Sequence, residues 1–185
     1  MKNEGRHIGL KRGIVSLESY DVRWKVMAEE TIALLKNILG SNVIDIQHVG
    51  STAIKGIKAK PIIDIAVGVD SFEAIMKYNA LLAQNGIVYR GQEHDNQLLY
   101  VMGDFEQDTR THHIHVVRWN EAEWNNYIRF RDYLNEHEEM ALEYSELKER
   151  LSRKYKDDRV AYTEGKRKMI QEILEKASRG MEHGQ

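Results

Sequence analysis

The stretch His48–Val69, HVGSTAIKGIKAKPIIDIAVGV, decides how this chain is read. Within these residues, a sequence with thirteen glycines and one proline sets a Gly50-Ser51 pair, a loop carrying Lys55, Lys58 and Lys60, and an acid, Asp64, inside a β-branched run. PIIDIAVGV, bounded by Pro61 and Gly68, has the composition of a short central strand whose first position tolerates proline. Successive strand side chains point to opposite faces. Ile63, Ile65 and Val67 are therefore expected on the core side, with Asp64 and Ala66 on the other. The preceding VIDIQHV alternates as a second strand. A Gly-Ser turn after it lets backbone approach an anion closely and adds a hydroxyl donor. Two readings fit these residues alone: an anion-binding turn beside a working acid, or a plain turn beside a hydrogen-bonded acid. The pattern by itself is weakly specific.

Around this stretch the chain reads as mixed α/β. SYDVRWKVMAEETIALLKNILG carries Trp24, Met27, Ile32, Leu35 and Ile38 at near-helical spacing and stops at Gly40. SFEAIMKYNALLAQNG predicts one further helix, capped by Ser71 and ended by Gly86. QLLYVMG and THHIHVVRW are two strands, joined through DFEQDTR as a hairpin. After Trp119 the composition turns helical. Met140, Tyr144, Leu147 and Leu151 recur at three and four, and DDRVAYTEGKRKMIQEILEKA reads as another helix with Asp157 or Asp158 as cap. The expected organisation is one chain, 1–185, with an α/β core at 14–118 and a C-terminal helical region at 119–180. SRGMEHGQ is expected to be loose.

Size and composition narrow the function classes. The 185 residues suffice for one well-packed domain, and the 42% hydrophobic and 30% charged content is that of a globular protein. No apolar run approaches the roughly 20 residues of a membrane helix, and MKNEGRHIGLKRG lacks the apolar segment of a secretory signal. With no cysteine, thiolate nucleophiles and Cys-ligated zinc are excluded, and a cytoplasmic location is expected. A net charge of −2 gives no strong nucleic-acid signal, although a local basic site is compatible with it.

Five stretches, YDVRW at 20–24, HVGSTAIKGIKAKPIIDIAVGV at 48–69, THHIHVV at 111–117, FRDYL at 130–134 and DDRVAYTEGK at 157–166, resemble the GrpB family (UPF0157) in order and over most of the chain. Members of that family look like nucleotidyltransferase-fold proteins. The resemblance implies a nucleotidyltransferase-like mixed sheet flanked by helices. It matches Gly50-Ser51 to the phosphate turn, with Thr52 beside it, and Asp64 to the first acid of an acid-x-acid strand. Ala66 stands where the second acid belongs. In the two-metal mechanism, carboxylates bridge ions that neutralise the triphosphate, so this departure weakens the usual pair of sites.

Histidines offer a replacement. His113 and His115 share one face of their strand, with Ile114 and Val116 turned to the core. If that strand neighbours Asp64, the two imidazoles join the acid, with His48, in a cluster suited to a divalent metal. Such a set takes Zn²⁺ or Mn²⁺ more readily than Mg²⁺, which prefers oxygen ligands. A pair of hydrogen-bonded surface histidines is the alternative. His112 is expected to be structural, and His94 and His137 only exposed. Among cations, Lys60 and Arg110 stand nearest the matching strands and are candidates to offset phosphate charge. Arg131, Tyr162 and Lys166 lie in the helical motifs, where Arg131 and Tyr162 either close a cleft over the phosphates or simply pack. Trp119, Trp124, Tyr127 and Tyr144 are expected to make core contacts.

Two functions follow as expectations. In the first, Gly50, Ser51 and Thr52 bind a nucleoside triphosphate, Asp64 holds a metal, and His113 or His115 is ligand or general base in nucleotidyl transfer to a small acceptor. In the second, the chain is a non-catalytic sensor of a nucleotide or phosphometabolite that kept the turn and lost the metal pair. Ala66 favours the sensor, whereas Asp64 and the histidines favour the enzyme. On the first reading, an Ala66→Asp substitution is expected to restore metal affinity.

Overall fold

The computed structural model describes residues 8–92 and 96–182, so His94 and both chain ends lie outside the described residues. Its centre is a five-stranded sheet in the order β2-β3-β7-β5-β4, comprising Asp45–Val49, Ile63–Val69, His112–Arg118, Gln97–Met102 and Val88–Gln92. β3 and β7 run parallel and every other neighbouring pair antiparallel, which makes the sheet mixed, as expected. The short strands β1 (Leu10–Lys11) and β6 (Thr109–Arg110) pair with each other apart from it.

Strand alternation separates the two faces as the sequence predicts. Ile63, Ile65, Val67, Ile114 and Val116 are buried on one face, against Trp24, Ala28, Leu35 and Leu39 of α1 (Arg23–Leu39). α2 (Phe72–Met76) and α3 (Asn79–Gln84) cover the same core through Phe72, Ile75 and Leu82. The other face carries Asp64, His113 and His115. It lies under α4 (Ala122–Glu136), behind which stand α5 (Glu138–Lys154) and α6 (Arg159–Glu182).

Several local expectations change. The single helix predicted after Ser71 is two, because the chain turns at Lys77–Tyr78, where the Tyr78 hydroxyl accepts from Asn42 and the next residue, Asn79, accepts from Tyr100. Ser71 does cap the first, its Oγ accepting from the Ala74 amide. β4 escapes the sequence reading because a register shift between Tyr89 and Gly91 breaks its alternation. β5 and β7 pair as a hairpin, but the connection detours through β6. Asp158 rather than Asp157 caps α6, accepting from the Ala161 amide, and that helix runs through Glu182 instead of loosening at Ser178. No described helix is long and apolar enough to cross a membrane.

Candidate functional site

The parallel register of β3 on β7 sets Asp64 beside His113 and Ala66 beside His115. One carboxylate oxygen, Asp64 Oδ1, lies 3.4 Å from His113 Nδ1 and 3.3 Å from His115 Nε2. All three ligand atoms fall within 4.8 Å of one another. Burial raises the affinity of Asp64 for a proton, but the hydrogen bonds to His113 and His115 outweigh it and hold the carboxyl well below the usual carboxylate range. His115 is oriented from behind: its Nδ1 lies 3.1 Å from the Gln97 amide nitrogen, and Gln97 Oε1 accepts from the Tyr127 hydroxyl at 2.8 Å. Tyr127 also lies against the imidazole, with ring centroids 5.1 Å apart.

Gly50 explains the turn. Its φ is +69°, and a Cβ there would sit 2.6 Å from Asp64 Oδ2, so only glycine lets this backbone lie against the carboxylate. Gly50 and Ser51 line a cavity of about 370 Å³ together with Asp64, His113 and His115. Lys60 lines the same cavity, as expected, and Tyr162 closes part of its wall. A second cavity of about 340 Å³ shares Gly50, Ser51, Asp64, Tyr127 and Lys166 with it and is walled by Phe130, Tyr144, Ile170 and Leu174.

Four sequence-based candidates point elsewhere. His48 is on the opposite face of β2 from the cluster, and its Nε2 meets Thr52 Oγ1 at 2.9 Å. Burial lowers its pKa to about 4 despite the pull of Asp64, which keeps it neutral beside Thr52, and its place on the core face of β2 takes it away from the cluster. Thr52 is consequently 2% exposed with its hydroxyl engaged, and touches the cavity only as wall. Arg110 is buried beyond the sheet end, ion-paired with Asp108 at 3.2 Å and stacked on Phe105. Arg131 binds Gln47 Oε1 and the His48 carbonyl, fastening α4 to the edge strand rather than facing the cleft. Of these, only Arg131 is drawn away by a distant element; Arg110 pairs with Asp108 two residues before it, and His48 and Thr52 hold each other across the turn. The expected aromatic packing holds for Trp124, Tyr127 and Tyr144, the last two of which also line cavities. His112 is buried on Thr31, and His137 stacks exposed on Tyr133.

Two cations escaped the sequence reading. Lys148, on α5, is 1% exposed, and Arg159 starts α6; both line the 370 Å³ cavity with Lys60 and Lys166. Burial, then the charges of Lys166 and Lys60, lower the Lys148 pKa to about 7. Burial and the neighbouring Arg159 and Lys166 lower Lys60 to about 8, and burial also lowers Lys166. A lysine in an amphipathic helix normally marks the solvent face, so only its burial, unusual for an unpaired lysine, identifies Lys148.

The family profile described as GrpB protein matches residues 14–176. The glutamate-rich protein GrpB of Alkalihalophilus pseudofirmus is 41% identical over 170 residues, covering 90% of this chain and 98% of that protein. The crystal structure of the conserved protein GrpB from Enterococcus faecalis overlays with a TM-score of 0.82 at 28% identity, covering 90% of this chain and 99% of that one. A structure of Cid1 in complex with its short product ApU overlays with a TM-score of 0.44 at 11% identity, over 72% of this chain and 44% of that one.

Proposed function

From the premise that this chain belongs to the GrpB family, we propose that the cleft beside Asp64 transfers a nucleotidyl group from a nucleoside triphosphate to a small acceptor, with one divalent ion at Asp64, His113 and His115. The observation that carries this reading is the convergence of those three side chains on a cavity whose other wall is the Gly50-Ser51 turn and a set of cations. The residues do not fit a two-Mg²⁺ site: Ala66 offers no second carboxylate and is fully buried against Val49, Val117 and Trp124. Two imidazoles and one carboxylate suit a single transition ion, Zn²⁺ above all and Mn²⁺ after it. An ion so held would polarise a phosphoryl oxygen and offset charge on the leaving group.

The chain's own residues do the rest. Gly50 and Ser51 bound the phosphate path, Lys60 offsets its charge, and Gln97 holds His115 in orientation. In the transfer, the acceptor oxygen bonds to the α-phosphorus as the α–β bridging bond breaks. Pyrophosphate leaves with the electron pair, and the acceptor's proton is released to solvent. The absent second acid also supports a sensor that binds nucleotide without turnover.

Pyrophosphate release from each nucleoside triphosphate, with Mn²⁺ or Zn²⁺ and a pool of cell metabolites as acceptors, separates the two. Release is expected from the wild type and none from Asp64→Asn, which keeps the turn but loses the ionised ligand. Tight nucleotide binding with no release under any ion leaves the sensor.

A further inference from the structure

We infer that Lys60, Lys148, Arg159 and Lys166 form a subsite for a chain of linked phosphates, one that neutralises the chain with side-chain cations in place of a second metal ion. The four come from three separate parts of the fold: the loop before β3, α5 and α6. They meet in one cavity whose lining contains a single acid, Asp64. That carboxylate is already engaged by His113 and His115.

Each cation whose contacts are defined is positioned without being neutralised. The Lys148 ammonium donates to the Lys58 carbonyl and lies 4.8 Å from the centre of the Tyr144 ring. Lys166 and Lys60 lie 4.6 Å and 5.6 Å from the centre of the same ring, Tyr162. Carbonyl oxygens and aromatic faces orient an ammonium but carry no net charge. The acid nearest Lys148 along its helix, Glu149, is taken by Lys58 at 3.0 Å and Arg153 at 3.3 Å. Among the described residues, no carboxylate ion-pairs with any of the four.

Like charges gathered in a partly buried cavity repel, and the lowered pKa values of Lys60, Lys148 and Lys166 register that cost together with burial. A ligand bearing several negative charges removes it. Orthophosphate carries its charge on one phosphorus, whereas a chain of two or three phosphates spreads more negative charge and more acceptor oxygens among cations contributed by three elements. The cavity volume of about 370 Å³ suits a small polyanion. The inference depends on the proposed function for the identity of the chain as a nucleotide's tail, but not for its charge.

Isothermal titration of the full chain with tripolyphosphate and with orthophosphate, at neutral pH with divalent ions chelated, tests the subsite directly. Tripolyphosphate is expected to bind one per chain and at least about tenfold tighter than orthophosphate, with Lys166→Met and Arg159→Met each weakening it about tenfold or more, the scale of one charged hydrogen bond. Lys25→Met, on the far side of the sheet, should bind as the wild type does. Far-UV circular dichroism establishes that the variants are folded, and Lys166→Arg should recover most of the affinity. Equal affinity for the two anions, or folded cavity variants that bind like the wild type, overturns the inference. The pyrophosphate assay keeps it separate from the proposed function. Cavity-dependent tripolyphosphate binding without any turnover upholds the subsite and removes the transferase, whereas turnover indifferent to these substitutions overturns the subsite and upholds the transferase.

Discussion

Replacing Lys148 with methionine should make the ligand-free protein more stable near neutral pH and erase part of its pH dependence. In the fold the Lys148 pKa is lowered to about 7, from 10.5 for an unperturbed lysine. Because the folded value is the lower one, the unfolded chain binds the extra proton throughout the interval between them. Stability therefore rises as pH climbs from about 7 towards 10.5 and is lost as pH falls back. Well inside that interval each pH unit is worth about 1.4 kcal/mol, and because Lys148 is already half deprotonated in the fold at pH 7, it alone should contribute a gain of about 2 kcal/mol between pH 7 and pH 9. Lys60, lowered to about 8, adds a smaller gain over the upper part of the same range. Methionine fills similar volume without a charge but leaves the Lys58 carbonyl without its donor, which costs about 1–2 kcal/mol at every pH. Urea unfolding followed by tryptophan fluorescence at pH 6, 7, 8 and 9 reads both effects. The methionine variant should be the more stable protein at pH 6, and the wild type should close most of the gap by pH 9. Parallel stability curves for the two proteins would refute the reasoning, because a lysine that stayed charged throughout could not produce different slopes.

Two other substitutions probe the opposite side of the cleft. Gly50→Ala should cost about 2 kcal/mol of stability and at least tenfold in Zn²⁺ affinity, since its methyl would meet Asp64 Oδ2 at 2.6 Å on a backbone with φ of +69°. A metal titration and urea melt matching the wild type would show that the turn relaxes freely. Ala66→Asp should not restore a metal pair: Ala66 is fully buried against Val49, Val117 and Trp124, so a carboxylate there would be taken out of water among apolar side chains and cost about 3 kcal/mol or more, even with His115 on the neighbouring strand. An unchanged melting temperature together with tighter ion binding would reverse that conclusion.

Much of the site's face was legible in the sequence because strand alternation is a local property. Ile63, Asp64 and Ile65 must point in alternating directions wherever the strand lies, and so must His113, Ile114 and His115, which placed the acid and both imidazoles off the aliphatic core. Gly50 was legible as a turn, though not the reason for it: its approach to Asp64 exists only once β2 and β3 pair. What alternation does not contain is register. A slip of one residue between β3 and β7 would have turned the histidines away from Asp64, and only the packed sheet selects the pairing of Asp64 with His113. The same limit explains the misplaced Arg131, captured by the Gln47 side chain and the His48 carbonyl of the edge strand. Lys148 is the clearest case. Helical spacing treats it as one more polar residue on an amphipathic surface, whereas its burial at 1% exposure, facing Lys60 and Lys166, arises from the docking of α5 and α6 against the loop before β3. Local covalent geometry determined which way each side chain could point, and long-range packing decided which of them meet.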